Sequence, residues 1–153
     1  MPTLDYETCK CGSRPPVVLQ SHFTNNPISC ADCNLEVDLN QLNLSEDLVE
    51  RIAQWNSFYN SFYIIWLDSG EYEKWAKEQL SSADSPVNKR GLTLRDEIAA
   101  SITCYYWWFI DNAAAEYKPF TKCPNCFGQL TKYANKYNVN THICGQCNII
   151  IAT

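Results

Sequence analysis

Eight of the nine cysteines fall into close pairs, and the pairs fall into two sets. Cys123-Pro124-Asn125-Cys126 and Cys144-Gly145-Gln146-Cys147 are CxxC knuckles separated by 17 residues, the spacing of a four-thiolate zinc site. Nearer the N-terminus, Cys9-Lys10-Cys11 is followed after 18 residues by Cys30-Ala31-Asp32-Cys33, with a tighter first knuckle. Four thiolates at about 2.3 Å close a tetrahedron around Zn²⁺. Such binding contributes roughly 10–16 kcal/mol to ordering a segment too short to build its own core. Two structural zinc ions are therefore expected, one on Cys123, Cys126, Cys144 and Cys147, the other on Cys9, Cys11, Cys30 and Cys33. Ligand type alone leaves iron open at either site.

Other chemistries fit less well. Redox CxxC motifs occur singly at a helix N-terminus in a βαβ unit, whereas these come two by two. A catalytic zinc keeps an open position and normally a His or carboxylate ligand, and the deaminase pattern needs an H-x-E that is absent. Of the two histidines, His22 and His142, each is best read as a strand position with a surface imidazole. Cys104, unpaired at the head of an aromatic run, reads as an inert buried thiol. With five glycines in all, phosphate-cradling loops are not expected. Asp68, Glu71 and Glu73 suit the start of a helix better than a pair of catalytic carboxylates. A non-enzymatic protein is expected, with an enzyme or thiol sensor centred on Cys104, or on a metal site with its fourth position open, as the remote alternative.

The elements that must position these cysteines follow from periodicity. Val17 to Phe23 reads as a strand ended by Asn25-Asn26-Pro27, and Leu35, Val37 and Leu39 alternate with acids as a second, half-buried strand. Asn43 or Ser45 caps a helix with Glu46 and Asp47 in its first turn, and Leu48, Ile52, Trp55, Tyr59, Phe62 and Trp66 form its apolar stripe. Ser69 caps a second helix with Tyr72, Trp75, Ala76 and Leu80 inward and Glu73–Lys77 and Lys74–Glu78 pairs outward. Ser81 to Gly91 reads as a loop. Thr93 caps a third helix, and the run Tyr105 to Ile110 suits either helix or buried strand, with helix preferred because no turn signal precedes it.

Charge is uneven along the chain. The 12 basic and 17 acidic residues give a net charge of −5, yet residues 118–153 carry four lysines and no acid. Lys122, Lys132 and Lys136 interleave with Phe127, Tyr133 and Tyr137, a mixture used on single-stranded nucleic acid, where rings stack on bases and lysines follow the backbone. The acidity of the remainder favours a protein partner instead. No basic segment followed by an apolar run opens the chain, and its longest apolar run falls far short of the ~20 residues of a spanning helix. A cytoplasmic protein with no membrane and no small-molecule substrate is expected.

The knuckles Cys123-Pro-Asn-Cys126 and Cys144-Gly-Gln-Cys147 are similar to those of the zinc-ribbon superfamily. The whole arrangement loosely resembles uncharacterised bacterial zinc-ribbon proteins for which nucleic-acid binding is suggested. The resemblance covers the last 30 or so residues and, more weakly, the first 40, and implies a structural metal and a binding role. Many ribbon knuckles place Gly directly after the second Cys, where Phe127 and Asn148 stand here. The expected fold is α+β, with small zinc ribbons at 1–42 and 118–153 flanking an aromatic helical core at 43–117 of about three helices, the three parts forming one compact unit.

Overall fold

The computed structural model describes residues 8–12, 14–135 and 140–152. Six strands, β1 (Val17–Leu19), β2 (Ile28–Cys30), β3 (Cys104–Trp107), β4 (Thr131–Tyr133), β5 (Thr141–Cys144) and β6 (Ile149–Ala152), form one sheet in the order β2-β1-β3-β6-β5-β4. Among the described residues three α-helices, α1 (Glu46–Asp68), α2 (Glu73–Ser81) and α3 (Pro86–Ala99), lie between β2 and β3 in the chain. The fold is α+β with a cysteine set towards each end of the chain. The two cysteine-bearing hairpins share one sheet, because β3 pairs in parallel with both β1 and β6.

The residues expected to continue a third helix are therefore a strand and its extension. Cys104, Tyr106 and Trp108 turn one way and pack with Val17, Leu19, Ile149 and Ile151 against the helices. Tyr105 and Trp107 turn the other way, with Val18, Ile143 and Ile150. A central strand buried on one face and half-buried on the other carries apolar or aromatic residues at every position, which is why its pattern also suits a buried helix. The third helix starts earlier than expected. Ser85 is its N-cap, accepting from the Asn88 amide, with Pro86 in the first turn. Thr93 lies inside it and donates to the Lys89 carbonyl.

Helix α1 follows its stripe, with Ser45 accepting from the Leu48 amide and Leu48, Ile52, Trp55 and Tyr59 buried. In α2 only Ala76 and Leu80 are buried, and Tyr72 and Trp75 are exposed. Ser69 accepts from the Tyr72 amide just ahead of that helix. Lys77 pairs with Asp111 at 3.0 Å, tying α2 to the segment after β3. The strand expected at Leu35–Leu39 reduces to isolated bridges at Glu36 and a 3-10 turn at Leu39–Leu42.

A buried polar knot fixes β3 under the helices. Tyr106 donates its hydroxyl to Asn88 Oδ1 at 2.8 Å, and Asn88 Nδ2 donates to the Leu80 and Ser82 carbonyls at 2.9 and 2.8 Å. The Tyr106 ring lies so close to Gly91 that a Cβ there would overlap it. At the outer strands the sheet curls. Six flat strands would hold their outermost members about 24 Å apart, yet the Tyr133 hydroxyl of β4 donates to Asp32, just past β2, at 2.6 Å. That closure buries Val18 and Ile150 on the face without helices.

Candidate metal centres

In each cysteine set the four Sγ atoms lie within 4.8 Å of one another: Cys9, Cys11, Cys30 and Cys33 in one, Cys123, Cys126, Cys144 and Cys147 in the other. A tetrahedron with bonds of about 2.3 Å needs S···S separations of about 3.8 Å, and Cys126 and Cys144 stand at 3.5 Å. All eight thiols are free of disulfides.

Backbone geometry fits metal thiolates better than simple proximity would. Amides of Cys11, Asp32, Asn125, Gly128 and Cys147 point at the sulfurs of Cys9, Cys30, Cys123, Cys126 and Cys144 at 3.3–3.4 Å. Directly after the second cysteine of every knuckle the chain turns left-handed, at Gly12 (φ 114°), Asn34 (62°), Phe127 (59°) and Asn148 (48°). Only Gly12 is a glycine. Asn tolerates this region, whereas a bulky ring there is strained by roughly 1–3 kcal/mol.

The two sets are held differently. The first is built at the sheet edge, where Cys30 ends β2 and Cys33 follows it, and the Cys9 amide donates to the Glu36 carbonyl at 2.8 Å. The second closes the turn between β5 and β6, and the buried Arg95 of α3 donates to the Cys147 carbonyl. Burial pushes the Cys33, Cys30 and Cys123 thiols up, and Cys147 to about 12. The Gly128 amide, ahead of the Cys147 thiol, holds Cys126 down at about 7. A metal entering either set must displace protons, so acid weakens its binding.

These residues fit one divalent ion per set, held by four thiolates with no open position. Cys104 belongs to neither set. It is buried, and burial pushes its thiol to about 12, the behaviour of an apolar core residue.

A model of the family described as a domain of unknown function, DUF2310, matches residues 16–109. The chain belongs to this family. The DUF2310 segment runs from just before β1 to just after β3, so it contains the helical layer, Cys30 and Cys33, and leaves Cys9, Cys11 and the whole second set outside. No curated protein and no solved structure matches the chain.

The expected basic-aromatic face is not assembled among the described residues. Lys132 and Tyr133 are consecutive in β4 and point to opposite faces. Lys132 is exposed and in register with His142. Tyr133 packs on Tyr105 at 5.8 Å and is committed to Asp32. Lys122 and Phe127 are exposed on the first knuckle of the second set. Lys136 and Tyr137 lie outside the described residues. Sequence reasoning also missed that His22, beyond the end of β1, walls a cavity rather than standing on a strand surface. Its neighbours Trp55, Tyr59 and Tyr63 recur every four residues in α1, and of these the apolar stripe predicted from the sequence contains Trp55 and Tyr59.

Proposed function

We propose that this chain is a non-enzymatic cytoplasmic zinc protein in which two closed four-thiolate sites brace a single sheet, and the assembly serves as an interaction module for another protein. The observation that carries the reading is the convergence of eight thiols into two four-sulfur sets of metal-ligand spacing. Four thiolates per ion leave no position for a substrate or an activated water. No helix among the described residues is long and apolar enough to cross a membrane. A docking face is supported by Ile64, Leu67, Tyr72 and Trp75, which leave 48%, 51%, 62% and 48% of their surface exposed around the turn from α1 to α2.

Metal analysis of the purified chain tests the core of this reading and is expected to return two zinc ions per chain in a colourless protein. Fewer than one metal per chain overturns it, and visible thiolate-to-iron absorption replaces zinc by iron. A photo-crosslinking residue at position 75 is expected to yield a discrete protein adduct that position 53 does not.

A second reading, nucleic-acid binding, is favoured by the exposed Phe127 ring on the basic segment that carries Lys118, Lys122 and Lys132. It predicts salt-sensitive binding of single-stranded DNA or RNA that weakens in Lys132→Glu. A flat titration at low salt removes it.

A further inference from the structure

The three parallel strands β1, β3 and β6 begin near the two cysteine sets, since Val17 is in register with Cys30 and Ile149 with Cys144. At their opposite ends, where β1 and β3 run out, the chain opens a cavity of about 280 Å³ against α1. The crevice beyond the carboxyl ends of parallel strands is the usual ligand position in sheets covered by helices. This volume lies near the lower end of small-molecule sites.

The lining defines the occupant. Phe23, Tyr63, Trp107 and Phe109 supply aromatic walls, and no lysine, arginine, aspartate or glutamate lines the space. An anion would find no positive partner there. A cation would find only ring faces, worth about 0.5–2 kcal/mol, and no carboxylate. Five polar side chains in the lining make no hydrogen bond to any described residue: the Gln20 carboxamide, the His22 ring, the Tyr59 and Tyr63 hydroxyls and the Trp107 indole N–H, the first three of which make up the polar edge. Tyr59 lines the cavity and is only 7% exposed, yet its hydroxyl is not among the fully buried polar atoms that lack a partner and so keeps accessible surface. Burial lowers the His22 pKa against the opposing pull of the Glu36 carboxylate outside the lining, and so favours the neutral ring, able both to donate and to accept. Its main chain is pinned, because the His22 amide donates to Asn56 and its carbonyl accepts from Asn60 at 2.7 Å. An aliphatic ligand would fill the walls and strand these polar groups, at about 1–3 kcal/mol each.

We propose that this cavity binds an uncharged, planar nitrogen heteroaromatic of nucleobase size, its ring held among Trp107, Phe109, Phe23 and Tyr63 and its polar edge read by Gln20, His22 and Tyr59. The site is separate from both cysteine sets and from the exposed α1–α2 face, and it stands whether or not those carry the function proposed above.

Isothermal titration calorimetry on the zinc-loaded full chain tests it, with adenine, cytosine and uracil as neutral probes and choline and benzoate as charged ones. One or more of the bases is expected to bind with one site per chain and to alter the fluorescence of Trp55 and Trp107. Tyr59→Phe removes only the unpartnered hydroxyl. It is expected to leave the thermal midpoint of the unliganded protein unchanged or higher while weakening the base roughly fivefold to tenfold, the loss of one hydrogen bond. Trp107→Leu is expected to abolish binding. Binding of the matching nucleoside as well identifies a base presented on a sugar, and binding of the base alone identifies the free base. No heat from any base at millimolar concentration overturns the proposal, as does tighter binding of choline or benzoate, or a Tyr59→Phe variant that binds like the parent.

Discussion

The two cysteine sets hold the same number of thiols and the same left-handed knuckle turns, yet they are supported in opposite ways. The first sits at the edge strand β2 and borrows Cys9 and Cys11 from a segment tied on by single bridges at Thr8 and Glu36. The second sits between β5 and β6, and β6 is paired with the central β3. Position in the sheet, and not ligand chemistry, decides how far the loss of one site spreads. An edge hairpin can fray alone, whereas releasing β6 exposes one side of the strand on which the helices pack.

The largest expected effect follows directly. Cys144→Ser removes a ligand and frees β6. Because structural zinc contributes roughly 10–16 kcal/mol against a whole-domain stability of about 5–15 kcal/mol, the variant is expected to lose its cooperative urea transition by tryptophan fluorescence. Cys33→Ser is expected to keep a weakened but cooperative transition with one zinc retained. The reverse order would show that the edge site, and not the central one, organises the sheet.

How much of this could be read in the sequence follows from the range of each interaction. The cysteine sets were legible because ligand spacing is local and has few solutions, and α1 was legible from a cap at Asn43 or Ser45, of which Ser45 is the one used, and a stripe of period 3.6. The strand β3 was not. Its apolar run decides nothing until β1 and β6 lie on either side, and both are more than 40 residues away in the chain. The start of α3 was missed although Ser85-Pro86 carries the signal of an N-cap followed by a first-turn proline. The cavity was illegible because its polar groups matter only by lacking partners, which is a property of the assembled fold.

Arg95 sharpens the contrast, since it serves the second set alone. Its buried guanidinium donates to the Cys147 carbonyl and to Asp96 at 2.7 Å. Arg95→Met is expected to cost about 2–3 kcal/mol, as for a hydrogen bond to a charged group. A chelator should then extract one zinc per chain faster, with the other unchanged. Equal acceleration of both would mean that the sets are coupled through the sheet.

The Tyr133–Asp32 bond is where such coupling would pass, because it closes the curl between the strand next to the second set and the knuckle of the first. A short bond to a carboxylate is stronger than a neutral one, so Tyr133→Phe is expected to cost about 1.5 kcal/mol. The double-mutant cycle with Asp32→Asn should return a coupling of about 1 kcal/mol. No coupling would leave the closure to the Tyr105–Tyr133 ring contact.

The smallest expected effect separates strain from use within the second set. Phe127 and Asn148 occupy the same knuckle position with φ of 59° and 48°, but only Asn suits it. Phe127 is also 75% exposed, so its ring contributes little burial to offset the backbone strain. Phe127→Asn is therefore expected to stabilise the chain by about 0.5–1 kcal/mol, read from the urea midpoint at constant m-value. Asn148→Gly should change it by a few tenths, since glycine relieves little strain there and adds unfolded-state entropy. A stabilised Phe127→Asn variant that also loses a partner would mark the ring as retained for contact at a cost in stability. A destabilised variant would show that the ring packs on its own knuckle, and the contrast between the two positions would collapse into ordinary turn chemistry.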